Sequence, residues 1–157
     1  MIPTHLRLLA VVFLLLLQSC SSDPETPEER IRALIDAGET AVESRDLSEV
    51  TALISQHYFD KQGLDRAAVR RLIAGQFLMH PSIHLLVQTD EIRLVTPERA
   101  EVLIYVAMSG TRLDRAEDLL GLRADLYRFD LGLEKEDENW RIRGGRWRRA
   151  TAGDFLE

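Results

Sequence analysis

The sequence has a single cysteine, Cys20, and only two lysines, Lys61 and Lys135. One cysteine excludes an intramolecular disulfide and a CxxC redox pair. Walker loops, serine-hydrolase elbows and dinucleotide-binding glycine loops are missing too, and the nine glycines are scattered. No internal repeat or long low-complexity stretch is present, which excludes solenoids and propellers. No apolar run reaches the ~18 residues of a membrane-spanning helix. With 20 basic and 26 acidic residues the chain is acidic. Nucleic-acid binders concentrate positive charge, so no nucleic-acid partner is expected. His80 and His84 have the spacing of helical metal ligands, but Pro81 stands between them and His57 is isolated. Neither a metal nor a cofactor is expected.

The longest apolar run is residues 8–17, preceded by Arg7. Ten helical residues span about 15 Å, half of a ~30 Å hydrocarbon core. That length suits a signal-peptide core rather than a permanent span. Leu17-Gln18-Ser19-Cys20 follows. It resembles the lipobox of bacterial lipoprotein precursors, with Gln18 departing from the commonest residue at its position. The resemblance implies cleavage before Cys20 and a diacylglycerol thioether on it. The expected organisation is a leader at 1–19, a lipidated tether at 20–27, a domain at 28–150 and a tail at 151–157. The mature chain would carry 19 basic and 26 acidic residues, a net charge of −7. By the same resemblance, Ser21 in place of Asp implies the cell envelope, with the outer membrane facing the periplasm in a Gram-negative source.

Within the domain, Thr26-Pro27-Glu28-Glu29 predicts a helix start with a capping box and proline at the first position. Ile31, Leu34, Ile35, Ala41 and Val42 fall on one face. Asp46 predicts the cap of a shorter helix that buries Val50, Leu53 and Ile54. Asp65 predicts a third, with Val69, Leu72, Ile73 and Phe77 as its buried stripe and Pro81 at its end. From Ile83 onward the apolar period becomes two. Ile83, Leu85 and Val87 share one parity, Ile92 and Leu94 the other, which predicts a bulge between Thr89 and Glu91. A turn at Thr96-Pro97-Glu98-Arg99 leads to a strand of Ala100, Val102, Ile104, Val106 and Met108. Its other face, Leu103, Tyr105 and Ala107, is apolar enough to be covered. After a charged connection at 110–121, a strand over 122–135 and one over 140–149 close the domain.

Helices followed by long antiparallel strands predict an α+β fold. The helix around Ile31 to Val42, the Asp46-Leu47 helix start, the Leu94–Ala100 hairpin and Tyr127-Arg128-Phe129-Asp130-Leu131 leading to Asn139-Trp140-Arg141-Ile142 resemble the NTF2-like (cystatin-like, SnoaL-like) superfamily. The resemblance implies a cone of three N-terminal helices packed on a curved antiparallel sheet. The superfamily includes isomerases, hydrolases and non-catalytic binding domains, so the fold does not select a function. The expected function is non-catalytic binding of a small apolar ligand, a peptide or an envelope partner, in the cone cavity or on the exposed sheet, with pairing of sheets in a homodimer as a further expectation. The competing expectation is an isomerase or hydrolase. Asp125 would be its base, raised in pKa beside an apolar cavity, with Tyr58 or Tyr105 supplying a phenol. A bulge at Gly144-Gly145 would put Trp140, Ile142 and Trp147 on the core side. Arg141, Arg143, Arg146 and Arg148 would then face outward as a docking stripe for an acidic partner or lipid headgroups.

Overall fold

A computed structural model describes residues 26–115 and 124–155. The lipobox, Cys20, residues 116–121 of the charged connection and residues 122–123 of the expected third strand lie outside the described residues. Three helices precede four strands: α1 (Pro27–Glu43), α2 (Leu47–Ala52), α3 (Arg66–Met79), then β1 (His84–Thr96), β2 (Arg99–Ser109), β3 (Asp125–Glu136) and β4 (Asn139–Arg149). The strands form one antiparallel sheet in sequence order.

Local chemistry sets the helix boundaries. Thr26 and Glu29 complete the capping box of α1. At its other end Arg45 takes φ 58°. Asp46 N–H bonds Ala41 O at 2.9 Å and Arg45 N–H bonds Val42 O at 3.0 Å, a Schellman ending. The same Asp46 then caps α2, accepting from Ser48 and Glu49. Asp65 caps α3 through Ala68 N–H at 2.7 Å. His80, ahead of Pro81, leaves helical geometry at φ −117°.

The helices cover one sheet face. Ile31 and Ile35 pack on Ala100, Val102, Ile104, Leu133 and Trp140. Ala41, Val50 and Phe77 pack on Ile83 and Leu85. Leu72, expected in the buried stripe of α3, is 49 % exposed. A period of 3.6 fixes which residues share a face, but here the buried arc centres on Phe77 and Leu72 lies beyond its edge.

Three register shifts interrupt the sheet, one of them at Val95 beside the β1–β2 turn and two within the strands. Asp90 is the extra residue in β1, inside the expected segment, since Thr89 pairs Ile104 and Glu91 pairs Leu103. In β4 the extra residue is Arg143, one position before the expected glycine pair: Gly132 pairs Gly144 and Leu133 pairs Ile142. Its effect is the expected one. Trp140, Ile142 and Trp147 lie opposite Lys135, Leu133 and Phe129, on the core side, while Arg146 and Arg148 lie opposite Asp130 and Arg128. The turn between β3 and β4 has positive φ at Asp137 and Glu138, as a two-residue type I′ hairpin requires.

The segment after α2 seals the free edge of β4. Ile54 bridges Ile142 in parallel, and Phe59 N–H bonds Arg143 O at 3.2 Å. At the other end of the chain, Ala152–Phe155 forms a 3-10 turn and Phe155 is buried against Tyr105. The packed domain therefore continues past 150 into the segment read as a tail.

Two glycines paired across β3 and β4 have opposite roles. A Cβ on Gly144 would stand 2.7 Å from the Phe59 carbonyl oxygen, whereas one on Gly132 would meet nothing nearer than 3.9 Å. Gly144→Ala is expected to lower stability by about 1–3 kcal/mol. Gly132→Ala should be neutral or gain about 0.5–1 kcal/mol, because glycine weakens a strand interior. Denaturant unfolding of both variants checks the contrast.

Candidate functional site

The outer face of the sheet, away from the helices, is divided in two. At one end Tyr105 and Ala107 are buried beneath Leu113 and Phe155, with Leu86 and Leu126 around them. That end of the apolar second face of β2 is thus covered from within the chain. At the other end lies an open groove of about 460 Å³.

The pleat supplies its walls. Glu101 and Leu103 on β2, Arg128 and Asp130 on β3, and Arg143 and Arg146 on β4 all line it. Glu91 and Arg93 bound it at β1; Phe59, Asp60 and Lys61 bound it beyond β4. Gly132 and Gly144 leave the floor between these walls without side chains. Phe59 is 63 % exposed at the rim.

Its charges alternate in ion pairs. Asp130 accepts from Arg128 at 2.9 Å and from Arg146 at 3.2 Å. Glu134 meets Arg99 at 3.3 Å and Arg143 at 3.4 Å. Arg93 pairs with Glu101. The hydrogen bond from Arg128, with a further contribution from Arg146, holds the Asp130 carboxyl below the usual range. Lys61 has no ion-pair partner among the described residues.

The residues singled out from sequence separate into different places. Asp125 sits at the start of β3, partly exposed and paired with Arg149, whose guanidinium lies 5.0 Å over the Tyr127 ring. Tyr105 is under Phe155 on the opposite face. Tyr58 is buried elsewhere and donates to Asp60 Oδ2 at 3.1 Å. Burial pushes the Tyr58 phenol well above its ordinary pKa, and Asp60 adds to the shift. The three candidates therefore do not form one constellation. Of the arginine stripe, Arg143 and Arg146 reach the groove, Arg148 stands 4.0 Å from Asp154, and Arg141 is half-buried near Arg30 and Trp140. His84 lies 4.0 Å from Glu43. Among the described residues no three metal-ligating side chains converge.

Sequence reasoning missed Asp60 and Gly132. Asp60 is 4 % exposed. Besides Tyr58 it accepts from Gln62 N–H at 2.8 Å and Leu64 N–H at 2.9 Å, closing the loop before α3. The Tyr-Phe-Asp-Lys-Gln-Gly order is a readable signal for such a turn.

No family model matches the chain, and no curated protein matches it in sequence. Solved structures do match in shape. A candidate scytalone dehydratase from Novosphingobium aromaticivorans is 14 % identical, with TM-score 0.65 over 79 % of this chain and 84 % of its own. A candidate dehydratase of the NTF2-like family from Streptomyces avermitilis is 15 % identical, with TM-score 0.64 over 82 % and 99 %. An NTF2-like protein of unknown function from Shewanella oneidensis is 20 % identical, with TM-score 0.58 over 78 % and 98 %. At such identities the likeness is one of fold. The chain has the NTF2-like α+β cone, a fold found in dehydratase candidates and in proteins of unknown function.

The Asp130 pair predicts a pH dependence. A carboxyl held below its unfolded pKa adds stability above that pKa and loses it as pH falls through the folded value. Arg128→Gln should move the Asp130 pKa up toward the ordinary range. It should also flatten the acid limb of the stability curve. Carboxyl chemical shifts followed through a pH titration check the first, and unfolding midpoints between neutral and acid pH the second.

Proposed function

We propose that this chain is a lipid-anchored envelope protein whose NTF2-like domain binds a peptide segment of an envelope partner on the outer sheet face, without catalysis. Gly132 carries the reading. Glycine weakens a central strand, and no neighbour requires it here. A bare floor between charged walls keeps room for another chain to lie against the backbone. Small-molecule sites are concave and mostly apolar. This groove is open and lined by alternating charges, with Phe59, Val102, Leu103 and Leu131 as its apolar lining. Such a surface suits an extended peptide of mixed charge. The opposite sheet face is occupied by the helices.

One observation favours the enzymatic alternative, an isomerase or hydrolase working through a buried carboxylate. Asp60, at the groove edge, is buried and hydrogen-bonded to Tyr58. Its oxygens already accept three bonds, however, which suits a loop clamp better than a base.

A photo-crosslinking residue at Leu103, in the full chain in its native membranes, should yield one discrete protein adduct. The same residue at Leu78 should not. Arg143→Glu with Arg146→Glu should reduce the Leu103 adduct about tenfold. The chain from its native membranes should begin at Cys20 and carry a diacylglycerol, and Cys20→Ala should lack that lipid, both read by intact mass. Adducts absent or scattered at Leu103 contradict the groove; a wild-type chain without the lipid mass contradicts the lipid anchor.

A further inference from the structure

The third helix has no acidic residue: Arg66–Met79 reads Arg-Ala-Ala-Val-Arg-Arg-Leu-Ile-Ala-Gly-Gln-Phe-Leu-Met. It packs through Phe77 and Ile73. Arg66 is also used inside the fold, donating to Ile54 O at 3.1 Å and Thr51 O at 2.8 Å. At 100° per residue the side opposite Phe77 presents Ala68, Arg71, Leu72, Gly75, Leu78 and Met79. Leu72, Leu78 and Met79 are 49 %, 86 % and 65 % exposed, in a chain whose only other large exposed hydrophobics, among the described residues, are Phe59 and Val95. Arg71 is exposed beside them, Arg70 is exposed on the flank nearer Phe77, and neither has an ion-pair partner among the described residues.

We propose that this face is a protein-side membrane contact that lies on an anionic phospholipid surface. Charge decides between occupants. A second copy would bring an equally acid-free helix, so the arginines of both would share one apolar strip with no carboxylate to meet them. Anionic headgroups supply that countercharge. The guanidinium groups sit at headgroup level while Leu72, Leu78 and Met79 enter the acyl boundary, as interfacial helices do. The geometry agrees. Both α1 and α3 cover the same sheet face. Six residues from Cys20 to Thr26 reach at most about 20 Å, so anchorage at Cys20 keeps the domain near the bilayer. The groove, on the opposite sheet face, then opens away from the membrane. The contact is separate from the lipid and adds to it, since a short apolar face alone holds weakly.

The test uses the full chain with Cys20→Ser, so that an environment-sensitive NBD label attaches only to an introduced cysteine. One protein carries Leu78→Cys; a control carries Glu98→Cys in the β1–β2 turn. Each is mixed with vesicles of phosphatidylcholine, or of phosphatidylcholine with phosphatidylglycerol. The Leu78 label is expected to shift to the blue and gain emission several-fold on the anionic vesicles only, less so in high salt, while the Glu98 label stays at its aqueous emission. Arg71→Gln should weaken the gain, each basic residue near an anionic surface being worth about fivefold in affinity. The proposal is overturned by a Leu78 label that stays aqueous on anionic vesicles or responds equally to neutral ones. A gain that needs no lipid and grows with protein concentration overturns it too, by marking contact between copies.

Discussion

One extra residue in β4, Arg143, sets the layout on which the rest of the domain depends. Without it, Trp140 and Trp147 would face opposite sides of the sheet. With it, both point to the core side together with Ile142, and Arg146 and Arg148 turn outward. The bulge also offers the Arg143 carbonyl to Phe59 N–H. Gly144, next in the chain, admits the Phe59 backbone at a distance no Cβ would tolerate. The edge of β4 is thus sealed by the segment after α2, and the loop held by Asp60 becomes one wall of the groove.

The sheet then serves two faces differently. Toward the helices it is apolar and filled. Away from them, Phe155 and Leu113 cap one end, and the other end is left with charged walls over bare backbone. Most charges in that groove are paired, which orders the walls without closing the floor. A helix layer resting on the bilayer and a groove facing away from it would let one small domain hold a membrane on one side and a partner on the other.

Much of this organisation was legible in the sequence because it rests on local chemistry. Thr26, Asp46 and Asp65 announce three helix starts through short-range caps. The parity change after Thr89 announces the β1 bulge, and the spacing of Trp140, Ile142 and Trp147 announces the one in β4. What was not legible depends on long-range contacts. Periodicity grouped Leu72 with Val69 and Phe77 but could not say where the buried arc ends. Phe155 looked like tail because the Tyr105 it covers lies fifty residues away in sequence. Asp125 looked like a candidate base because its alternation with Tyr127 and Phe129 cannot reveal Arg149 pairing with it. Nothing in the sequence distinguishes Gly132 from another strand glycine, since the open space above it depends on its register with Gly144.

That empty space is the centre of the account, and one measurement addresses it directly: native mass spectrometry of the chain extracted gently from its own membranes, wild type against Gly132→Leu. A Cβ there meets nothing nearer than 3.9 Å, and the rest of a leucine side chain is expected to fill the groove floor. The account predicts a discrete bound mass on the wild-type chain that is lost from the variant while the variant's unfolding midpoint is unchanged or higher. A bound mass that survives Gly132→Leu would place the ligand elsewhere and contradict the account.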